Sequence, residues 1–249
     1  MHKGETVPAT NDETTRVGNR LPPLRAVLAG RLRQLDACIV SNAIETLGCR
    51  LRNEGFADGS IRALFERLPP VVGHAVTARI RCSTPPPSGH SYHDRTDWWS
   101  YILTVPPPRI VVVEDADEHP GLGAFIGHVH ALILKTLACT AYVTNGSVRD
   151  LPAVERIGFQ FFASKVSVSH AFVHIVEFGQ VVTVGGLAVE SGDILYGDRH
   201  GVLTIPSDVV EKIPAIAADM LAREQQVIDL CQSPQFSLDK LRILVRQLG

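Results

Sequence analysis

The sequence predicts an α/β fold, and two patterns support this class. Between residues 110 and 163, short β-branched or aromatic runs alternate with segments of helical length and apolar spacing. Between residues 174 and 205, short apolar runs are separated by glycine-containing turns, which is typical of an antiparallel or mixed β layer. With 249 residues and 45% hydrophobic content, the chain can bury the core of one large domain.

The N-terminal part is predicted to be a flexible leader followed by helices and the first strand. Residues 1–20 are polar and contain no apolar segment that resembles a secretion signal. Residues 21–48 show helical apolar spacing, and residues 62–68 form a short element that two prolines end. Residues 71–82 alternate like a strand. Residues 83–99 begin with three consecutive prolines after Ser83-Thr84, so we predict a long loop that could act as a lid.

The centre of the chain is predicted to form a βαβ unit. Residues 110–113 are a continuous β-branched run, residues 124–139 have helical length and spacing, and residues 141–144 are a second apolar run. A short helix over residues 151–157 and a strand over residues 159–163 extend this alternation.

The C-terminal part is predicted to change from short strands to helices. Strands are expected at residues 174–178, 181–184, 187–189 and 201–205. Ser207 is expected to cap a helix that Pro214 kinks or breaks, and Ser237 to cap a last helix. That helix has an apolar stripe, which could pack on the chain's own sheet or on a neighbouring subunit: Leu238, Leu241, Leu244, Val245 and Leu248. We expect one domain over residues 21–220 and a helical extension over residues 221–249.

Charge and cysteine content exclude several classes of protein. The chain has 24 basic and 26 acidic residues without a long run of either sign, so we expect neither nucleic-acid nor membrane binding. Its five cysteines are scattered, without zinc-ribbon pairs or disulfide density, which favours reduced thiols. The longest apolar runs are far shorter than the ~20 residues that span a bilayer. We expect a cytoplasmic protein that binds small molecules or other proteins.

One motif follows the predicted strand at residues 141–144. It reads Asn145-Gly146-Ser147-Val148-Arg149-Asp150. Arg149 offers a planar fork of donors suited to a carboxylate or oxyanion, and Asp150 offers a carboxylate suited to a divalent cation. Taken alone, such a pair is more often a surface turn or a salt bridge than a metal site.

Together with other segments, this motif resembles the RraA-like family. The resemblance rests on Gly127 before a helix, the Arg149-Asp150 turn, Val184-Gly185-Gly186, Ser191-Gly192-Asp193-Ile194 and the run from Asp198 to Pro206. The family includes class II pyruvate aldolases acting on 4-hydroxy-4-methyl-2-oxoglutarate and regulators of ribonuclease E activity. The resemblance implies a three-layer β/β/α, swivelling-domain-like core with N- and C-terminal helices. It also implies homotrimers or hexamers with the active site between subunits.

The resemblance assigns a role to each member of the Arg-Asp pair. Asp150 would bind a divalent cation, Mg²⁺ or Mn²⁺, and Arg149 would be a catalytic residue that contacts the pyruvyl part of a small 2-oxo acid. A metal ion acting as a Lewis acid would stabilise the pyruvate enolate that forms when the carbon–carbon bond breaks.

The start of the helix at Gly127 is the second implied part of the site. Backbone N–H groups of His128, Val129 and His130 would bind the substrate carboxylate at the helix N-terminus. Family members commonly have Gly or an acidic residue at the position of His128, so its imidazole could serve as the catalytic acid or base. His128 and His130 lie two residues apart at a helix start, so their side chains should diverge rather than share a metal.

Two further features bear on cation binding. Ala153 stands where aldolases often have Glu or Asp, and the nearest acid, Glu155, would lie on another face of the helix, so another outer-shell group would be needed. The predicted loop carries a His-rich set without a recognised third ligand, for which a lid or substrate-contact role is favoured: His90, His93, Asp94 and Asp97.

Four remaining polar residues have structural interpretations. Asp193 and Asp198 lie beside glycines and are expected in turns. His170 and His174 are expected on opposite faces of a strand, one inward and one outward.

Three functions are compatible with these residues. The first is a divalent-metal-dependent lyase acting on a 2-oxo acid, by retro-aldol cleavage that releases pyruvate or by decarboxylation of oxaloacetate. The second is a non-catalytic, protein-binding regulator of RNA degradation. The third is a metal-dependent hydratase or isomerase for a bulkier 2-oxo acid, which the loop at residues 83–99 would admit.

Overall fold

The computed structural model describes residues 24–86 and 95–248, and this part of the chain contains seven helices and eleven strands. The helices are α1 (Ala26–Leu32), α2 (Ala37–Leu47), α3 (Arg95–Thr104), α4 (His128–Thr136), α5 (Leu151–Arg156), α6 (Ile213–Gln232) and α7 (Leu238–Leu248). The strands are β1 (Arg62–Ala63), β2 (Val71–Arg81), β3 (Arg109–Asp115), β4 (Ala124–Ile126), β5 (Cys139–Val148), β6 (Gln160–Val166), β7 (His174–Phe178), β8 (Val182–Val184), β9 (Leu187–Val189), β10 (Ile194–Asp198) and β11 (Gly201–Ile205).

Nine of these strands form one mixed sheet. Its order is β1-β6-β5-β3-β2-β10-β11, with β4 beside β5 and β7 beside β2. Neighbours from β2 through β3 and β5 to β6 run parallel, and β4 is also parallel to β5. Carboxyl ends of parallel strands meet at one edge of a sheet, so the residues that follow β3, β4 and β5 lie close together.

Three apolar clusters hold the layers together. The sheet face that carries Val111, Val113 and Tyr142 packs against α3, α4 and α5. The opposite face, with Ile110 and Val112, packs against the β8–β9 hairpin. Helices α1, α2 and α6 cover β10 and β11 through the third cluster. Hairpin, sheet and helices form three layers, and the α/β class predicted from the sequence is confirmed.

The prediction of a continuous loop over residues 83–99 was wrong at its C-terminal end, where α3 begins at Arg95. Residues 87–94 and the predicted leader at residues 1–20 lie outside the described residues. Trp98, Ile102 and Val105 recur at helical spacing and are buried against the sheet, so their packing favours a helix despite the polar residues before it.

The predicted helix over residues 124–139 begins later than expected. Residues 124–126 form β4 and pair with β5, and the helix starts at His128. The predicted turn at residues 145–148 is instead the end of β5, where the register against β6 shifts between Thr144 and Ser147. Both changes extend the parallel sheet toward the Arg149-Asp150 pair.

Two corrections concern the C-terminal half. The sequence did not predict β10, a buried strand that pairs with both β2 and β11. Pro214 does not kink a helix, because residues 207–212 form turns and α6 begins at Ile213 with Pro214 in its first turn. Proline is tolerated there because the first helical N–H groups have no intrahelical acceptor.

The last two helices form a hairpin. Ser237 precedes α7 as predicted, and its side-chain oxygen accepts a hydrogen bond from the Lys240 N–H at 3.3 Å. Helix α7 packs against α6, and none of its residues is buried. Helix α6 runs without a break across residue 220. No helix in the described ranges is long and apolar enough to cross a membrane.

Candidate active site

The Arg149-Asp150 pair and the start of α4 meet at the carboxyl edge of the parallel strands. Strand β4 leads into Gly127, and β5 leads into Arg149. The Arg149 N–H donates to the Ile126 carbonyl at 3.2 Å, and Asp150 Oδ2 accepts a hydrogen bond from the His128 N–H at 3.0 Å. Two segments separated by more than 20 residues therefore form one local structure.

Gly127 allows this close approach because it has no side chain. A Cβ at this position would lie 2.3 Å from Asp150 Oδ2 and 3.1 Å from Arg149 Cγ. Its φ of −141° is ordinary extended backbone, so the requirement for glycine arises from contact and not from backbone strain.

Asp150 connects two helices. Its backbone lies in the left-handed region, with φ 60° and ψ 33°, and its carbonyl accepts hydrogen bonds from Ala153 and Val154 at the start of α5. Its carboxylate reaches the N-terminus of α4 instead of capping its own helix. Asp tolerates this backbone region better than most residues, and such conformations are frequent at functional sites. The carboxylate is 43% exposed, so it also remains accessible to a ligand.

Arg149 presents a partly buried cation beside this carboxylate. Its side chain is 29% exposed, and Nε lies 3.8 Å from Asp150 Oδ2, which is too long for a hydrogen bond. Arg149 Nε is buried and has no hydrogen-bond partner among the described residues. A buried donor without an acceptor is costly, and an anion that binds there would satisfy it.

The three residues predicted to bind a carboxylate differ in their surroundings. The His128 N–H was expected to be free for a substrate carboxylate, but it donates a hydrogen bond to Asp150 Oδ2. Val129 is exposed, whereas His130 is buried with its ring edge against Phe125 and its Nδ1 3.3 Å from the Phe125 carbonyl oxygen. The side chains of His128 and His130 thus lie in different environments, as the helical spacing indicates.

Two other predicted positions lie on α5. Ala153 is in its first turn, where its N–H donates to the Asp150 carbonyl at 3.0 Å, and Glu155 is exposed. Of the His-rich set, only Asp97 lies within the described residues, and it is exposed in the first turn of α3.

The structure also places the turn and strand residues. Asp193 accepts the Glu190 N–H in a turn, as expected. Asp198 is buried at the end of β10, and its carboxylate accepts the N–H of Ala37 at 2.8 Å, so it caps α2 as well as ordering its own turn. His174 is buried in β7, and His170 is exposed but precedes that strand.

A buried group beside this edge was not predicted from the sequence. Cys82, Asp115 and Asp117 offer ligand atoms within 4.8 Å of one another, which could hold a metal ion. All four carboxylate oxygens already accept hydrogen bonds from nearby backbone or side-chain groups. Burial raises the pKa of the Cys82 thiol to about 12, with a further contribution from Asp115. A neutral thiol is a poor metal ligand, and the carboxylate oxygens already accept hydrogen bonds, so a structural role is favoured for this group. The Asp-x-Asp spacing after β3 was the available sequence signal.

The fold and this site define a class of α/β proteins with a partly buried guanidinium and an exposed carboxylate at the end of a parallel sheet. The family model described as "RraA-like: Aldolase/RraA" matches residues 37–204. The chain belongs to the RraA-like family.

Individual relatives are distant. A protein of Halalkalibacterium halodurans, provisionally named as a 4-hydroxy-4-methyl-2-oxoglutarate aldolase, is 28% identical over 139 residues, which is 54% of this chain and 66% of that protein. Among solved structures, an uncharacterized protein from Pseudomonas syringae aligns with a TM-score of 0.68 and 18% identity, over 91% of this chain and 98% of that one. Streptomyces coelicolor RraAS2, an unusual member of the RNase ES inhibitor RraA family, aligns with a TM-score of 0.64 and 21% identity, over 82% and 96% of the two chains. These structural matches show a common fold.

Proposed function

We propose that this protein is a divalent-metal-dependent lyase that breaks the C3–C4 bond of a 2-oxo acid and releases pyruvate. The observation that carries the proposal is the convergence of Arg149, Asp150 and the α4 N-terminus around Gly127. Retro-aldol cleavage and oxaloacetate decarboxylation both leave an electron pair on C3, so one site can support either reaction.

Substrate binding is assigned to the cationic and N–H groups of the site. Arg149 supplies a permanent positive charge and the unpaired Nε donor, which suit the carboxylate or 2-oxo oxygen of the substrate. The N–H groups of Val129 and His130 at the start of α4 add partial positive charge from the helix. Gly127 lets Arg149 and Asp150 approach this helix N-terminus closely.

Asp150 is assigned to a divalent cation, Mg²⁺ or Mn²⁺. Its carboxylate is exposed, and only Oδ2 accepts a hydrogen bond in the described part of the chain, so the donor chemistry fits a cation that keeps most of its waters. When bound, the cation supplies Lewis-acid stabilisation of the charge that develops on the substrate.

His128 is assigned to proton transfer. It is the first residue of α4 and partly exposed beside Asp150, and imidazole exchanges protons near neutral pH. In this role His128 transfers the proton that C3 of pyruvate gains, or accepts the proton of a 4-hydroxyl group.

The site is proposed to lie between subunits of a homotrimer or hexamer. Four large apolar residues are exposed beside β5 and the loop before β4, and we call them the site-edge patch: Leu122, Val166, Val168 and Phe172. Within this region, the N–H of Ser167 donates to the Val148 carbonyl and its hydroxyl donates to the Leu122 carbonyl. A second copy that covers the patch would also enclose Arg149 and Asp150.

The decisive experiment is pyruvate release from oxaloacetate with Mg²⁺, Mn²⁺ or EDTA. Turnover is expected to need the metal and to fall by about 10²–10³-fold in Asp150→Ala, because the cation that stabilises the developing charge loses its protein ligand. Arg149→Lys should also lose activity, since Lys lacks the planar fork. Glu155→Ala, exposed on the adjacent helix, is the matched control and should keep full activity. Turnover that is unaffected by EDTA and by Asp150→Ala would refute the lyase.

A protein-binding regulator of RNA degradation is the second candidate. The structural likeness to RraAS2 and the presence of Ala153 and His128 at positions that are often acidic in aldolases favour it. Under this function, purified protein would slow ribonuclease E cleavage of an RNA substrate, and Asp150→Ala would inhibit as well as the unchanged chain.

A further inference from the structure

Asp115 ends β3 in the interior, and both oxygens of its carboxylate bind the loop that follows. Oδ1 accepts a hydrogen bond from the Asp117 N–H at 3.2 Å. Oδ2 accepts one from the Gly121 N–H at 2.7 Å and lies 3.7 Å from the Cys82 thiol, which donates to it. One side chain thus fixes two points of the loop at residues 116–123, because an ionised carboxylate accepts at both oxygens.

Strand β5, which leads into Arg149 and Asp150, contacts Asp115 and the same loop from the other side. Asn145 Oδ1 accepts the Asp115 N–H at 2.7 Å, and Asn145 Nδ2 donates to the Asp115 carbonyl at 3.1 Å. Ser147 Oγ donates to the Gly121 carbonyl at 2.7 Å. Both the N–H and the carbonyl of Gly121 are therefore hydrogen-bonded. Its φ of +97° disfavours any larger residue, and a Cβ at this position would lie 3.2 Å from Ser147 Oγ.

This loop leads directly into the candidate site. Residues 116–123 contain no helix or strand, so their geometry depends on these hydrogen bonds rather than on a sheet ladder. Three residues of β4 connect the loop to Gly127, and the Ile126 carbonyl accepts the Arg149 N–H. The hydrogen bonds of Gly121 therefore fix where the chain enters β4, whose first residue lies three positions before Gly127.

We propose that Asp115 is a positioning residue, which sets the α4 N-terminus at the distance from Arg149 that lets both bind one substrate carboxylate. This inference rests on the proposed 2-oxo acid site and adds a residue that contacts neither substrate nor cation. Small displacements of binding groups are sufficient to lower activity strongly.

Two isosteric variants test the proposal. In Asp115→Asn, a donating NH₂ group replaces one of the two oxygens, and the Asp117 and Gly121 N–H groups contact different oxygens, so one loop contact must break. In Asp117→Asn, the amide oxygen can keep the N–H groups of Cys82 and Ser83, and the amide nitrogen can donate to Ser83 Oγ. Hydrogen exchange followed by mass spectrometry should show faster exchange across residues 116–130 in Asp115→Asn only, with unchanged protection in the rest of the sheet.

Ligand binding separates positioning from general loss of structure. Oxalate, a stable mimic of the pyruvyl carboxylate and oxo group, is titrated calorimetrically in the presence of Mn²⁺. Asp115→Asn should weaken oxalate about 10-fold while the affinity for Mn²⁺ alone stays within about twofold, since Asp150 follows β5 and its Oδ1 accepts no hydrogen bond from the described residues. Equal losses for oxalate and Mn²⁺ would overturn the assignment.

The two proposals can fail independently. If the unchanged chain does not bind oxalate, the 2-oxo acid site is refuted, while the exchange pattern still reports whether Asp115 holds residues 116–130. If Asp115→Asn exchanges like the unchanged chain across those residues, positioning by Asp115 is refuted. If Asp115→Asn unfolds altogether, Ser147→Ala replaces it as the test, because it removes only the hydroxyl contact to Gly121. Ser147→Ala should then show faster hydrogen exchange across residues 116–130, and unchanged exchange there would refute the proposal.

Discussion

Gly127 makes the site possible because a side chain at this position would collide with Asp150 and Arg149. In Gly127→Ala, the new methyl group would lie 2.3 Å from Asp150 Oδ2 and must displace that carboxylate or the Arg149 side chain. We expect oxalate and Mn²⁺ to bind at least about 10-fold more weakly, or on the order of 1.4 kcal/mol, in calorimetric titrations.

The control for this variant is Gly30→Ala. Gly30 lies within α1, and a Cβ there would meet no atom of the described residues within 4 Å apart from its own helix backbone and chain neighbours. Alanine is favoured over glycine in a helix, so this variant should gain about 0.5–1 kcal/mol of stability and bind both ligands normally. Normal binding by Gly127→Ala would mean that the close contacts around Asp150 do not matter to the site.

The buried acids near the site should give opposite dependences of stability on pH. Burial raises the pKa of Asp115 above 3.8, so the folded state holds this proton more tightly than the unfolded state. Its contribution to stability is therefore fully present below 3.8 and declines as pH rises through the raised pKa. Burial would also raise the pKa of Asp117, but hydrogen bonds from Ser83 and Cys82 outweigh it and lower that pKa.

Urea unfolding at pH 4, 5.5 and 7 measures this difference. The stability deficit of Asp115→Asn relative to the unchanged chain should shrink as pH rises, because the unchanged chain loses stability from its own carboxyl. The deficit of Asp117→Asn should be the same at pH 5.5 and 7 and somewhat smaller at pH 4, since its contribution declines as pH falls toward and below the ordinary value of 3.8. A deficit of Asp115→Asn that grows with pH would contradict the raised pKa.

Some residues of the candidate site could be predicted from the sequence, whereas the contacts between them could not. Gly127, Arg149 and Asp150 were predicted from the resemblance to the RraA-like family, and the structure brings them together, while their roles stay predictions. The engagement of the His128 N–H by Asp150 was not predictable, because it joins residues 22 positions apart through a side-chain rotamer. The Asp-x-Asp spacing at residues 115–117 is visible in the sequence, but the partners of Asp115 are not, since they come from the residue after β2, from β5 and from the following loop.

At the scale of elements, Arg109 joins the ends of two helices to the sheet. It is buried at the start of β3, and its Nε donates to the Val105 carbonyl at 2.5 Å and Nη1 to the Leu137 carbonyl at 2.6 Å. These carbonyls follow the last turns of α3 and α4, where helix ends leave acceptors unpaired.

Arg109→Met should lower the free energy of unfolding by about 2–4 kcal/mol, because two buried carbonyls lose charge-assisted hydrogen bonds. Chemical denaturation measures the loss. Arg67→Met changes an exposed side chain and should alter stability by less than about 0.5 kcal/mol. Similar small effects for both variants would show that water replaces the guanidinium at these helix ends.

The elements that were predicted correctly are those with a local signal. Strands β2, β3 and β7 are continuous or alternating apolar runs, and their type follows from periodicity. β4 and β10 could not be separated from helix or turn by pattern, because each gains its strand character from pairing with distant strands. Tertiary hydrogen bonds decided these segments.

At the scale of the whole molecule, two exposed apolar surfaces compete as the subunit interface. The site-edge patch includes Val168, which is 95% exposed, beside the candidate site. The α6–α7 hairpin exposes Ile243 at 57% on a helix with no buried residue, and it lies outside the segment matched by the family model. The site-edge patch would couple assembly to the proposed lyase, because its Val166 pairs with Val148, the residue before Arg149.

Matched charge substitutions distinguish these surfaces. With the site-edge patch as the interface, light scattering should find an assembly of three or six 27.1 kDa chains, and Val168→Lys should convert it to monomers with little pyruvate release. Ile243→Lys introduces the same charge on α7 and should leave both assembly and turnover unchanged. The reverse outcome, in which Ile243→Lys dissociates the assembly and Val168→Lys does not, would place the interface on the C-terminal hairpin and make each chain's site independent of its neighbours.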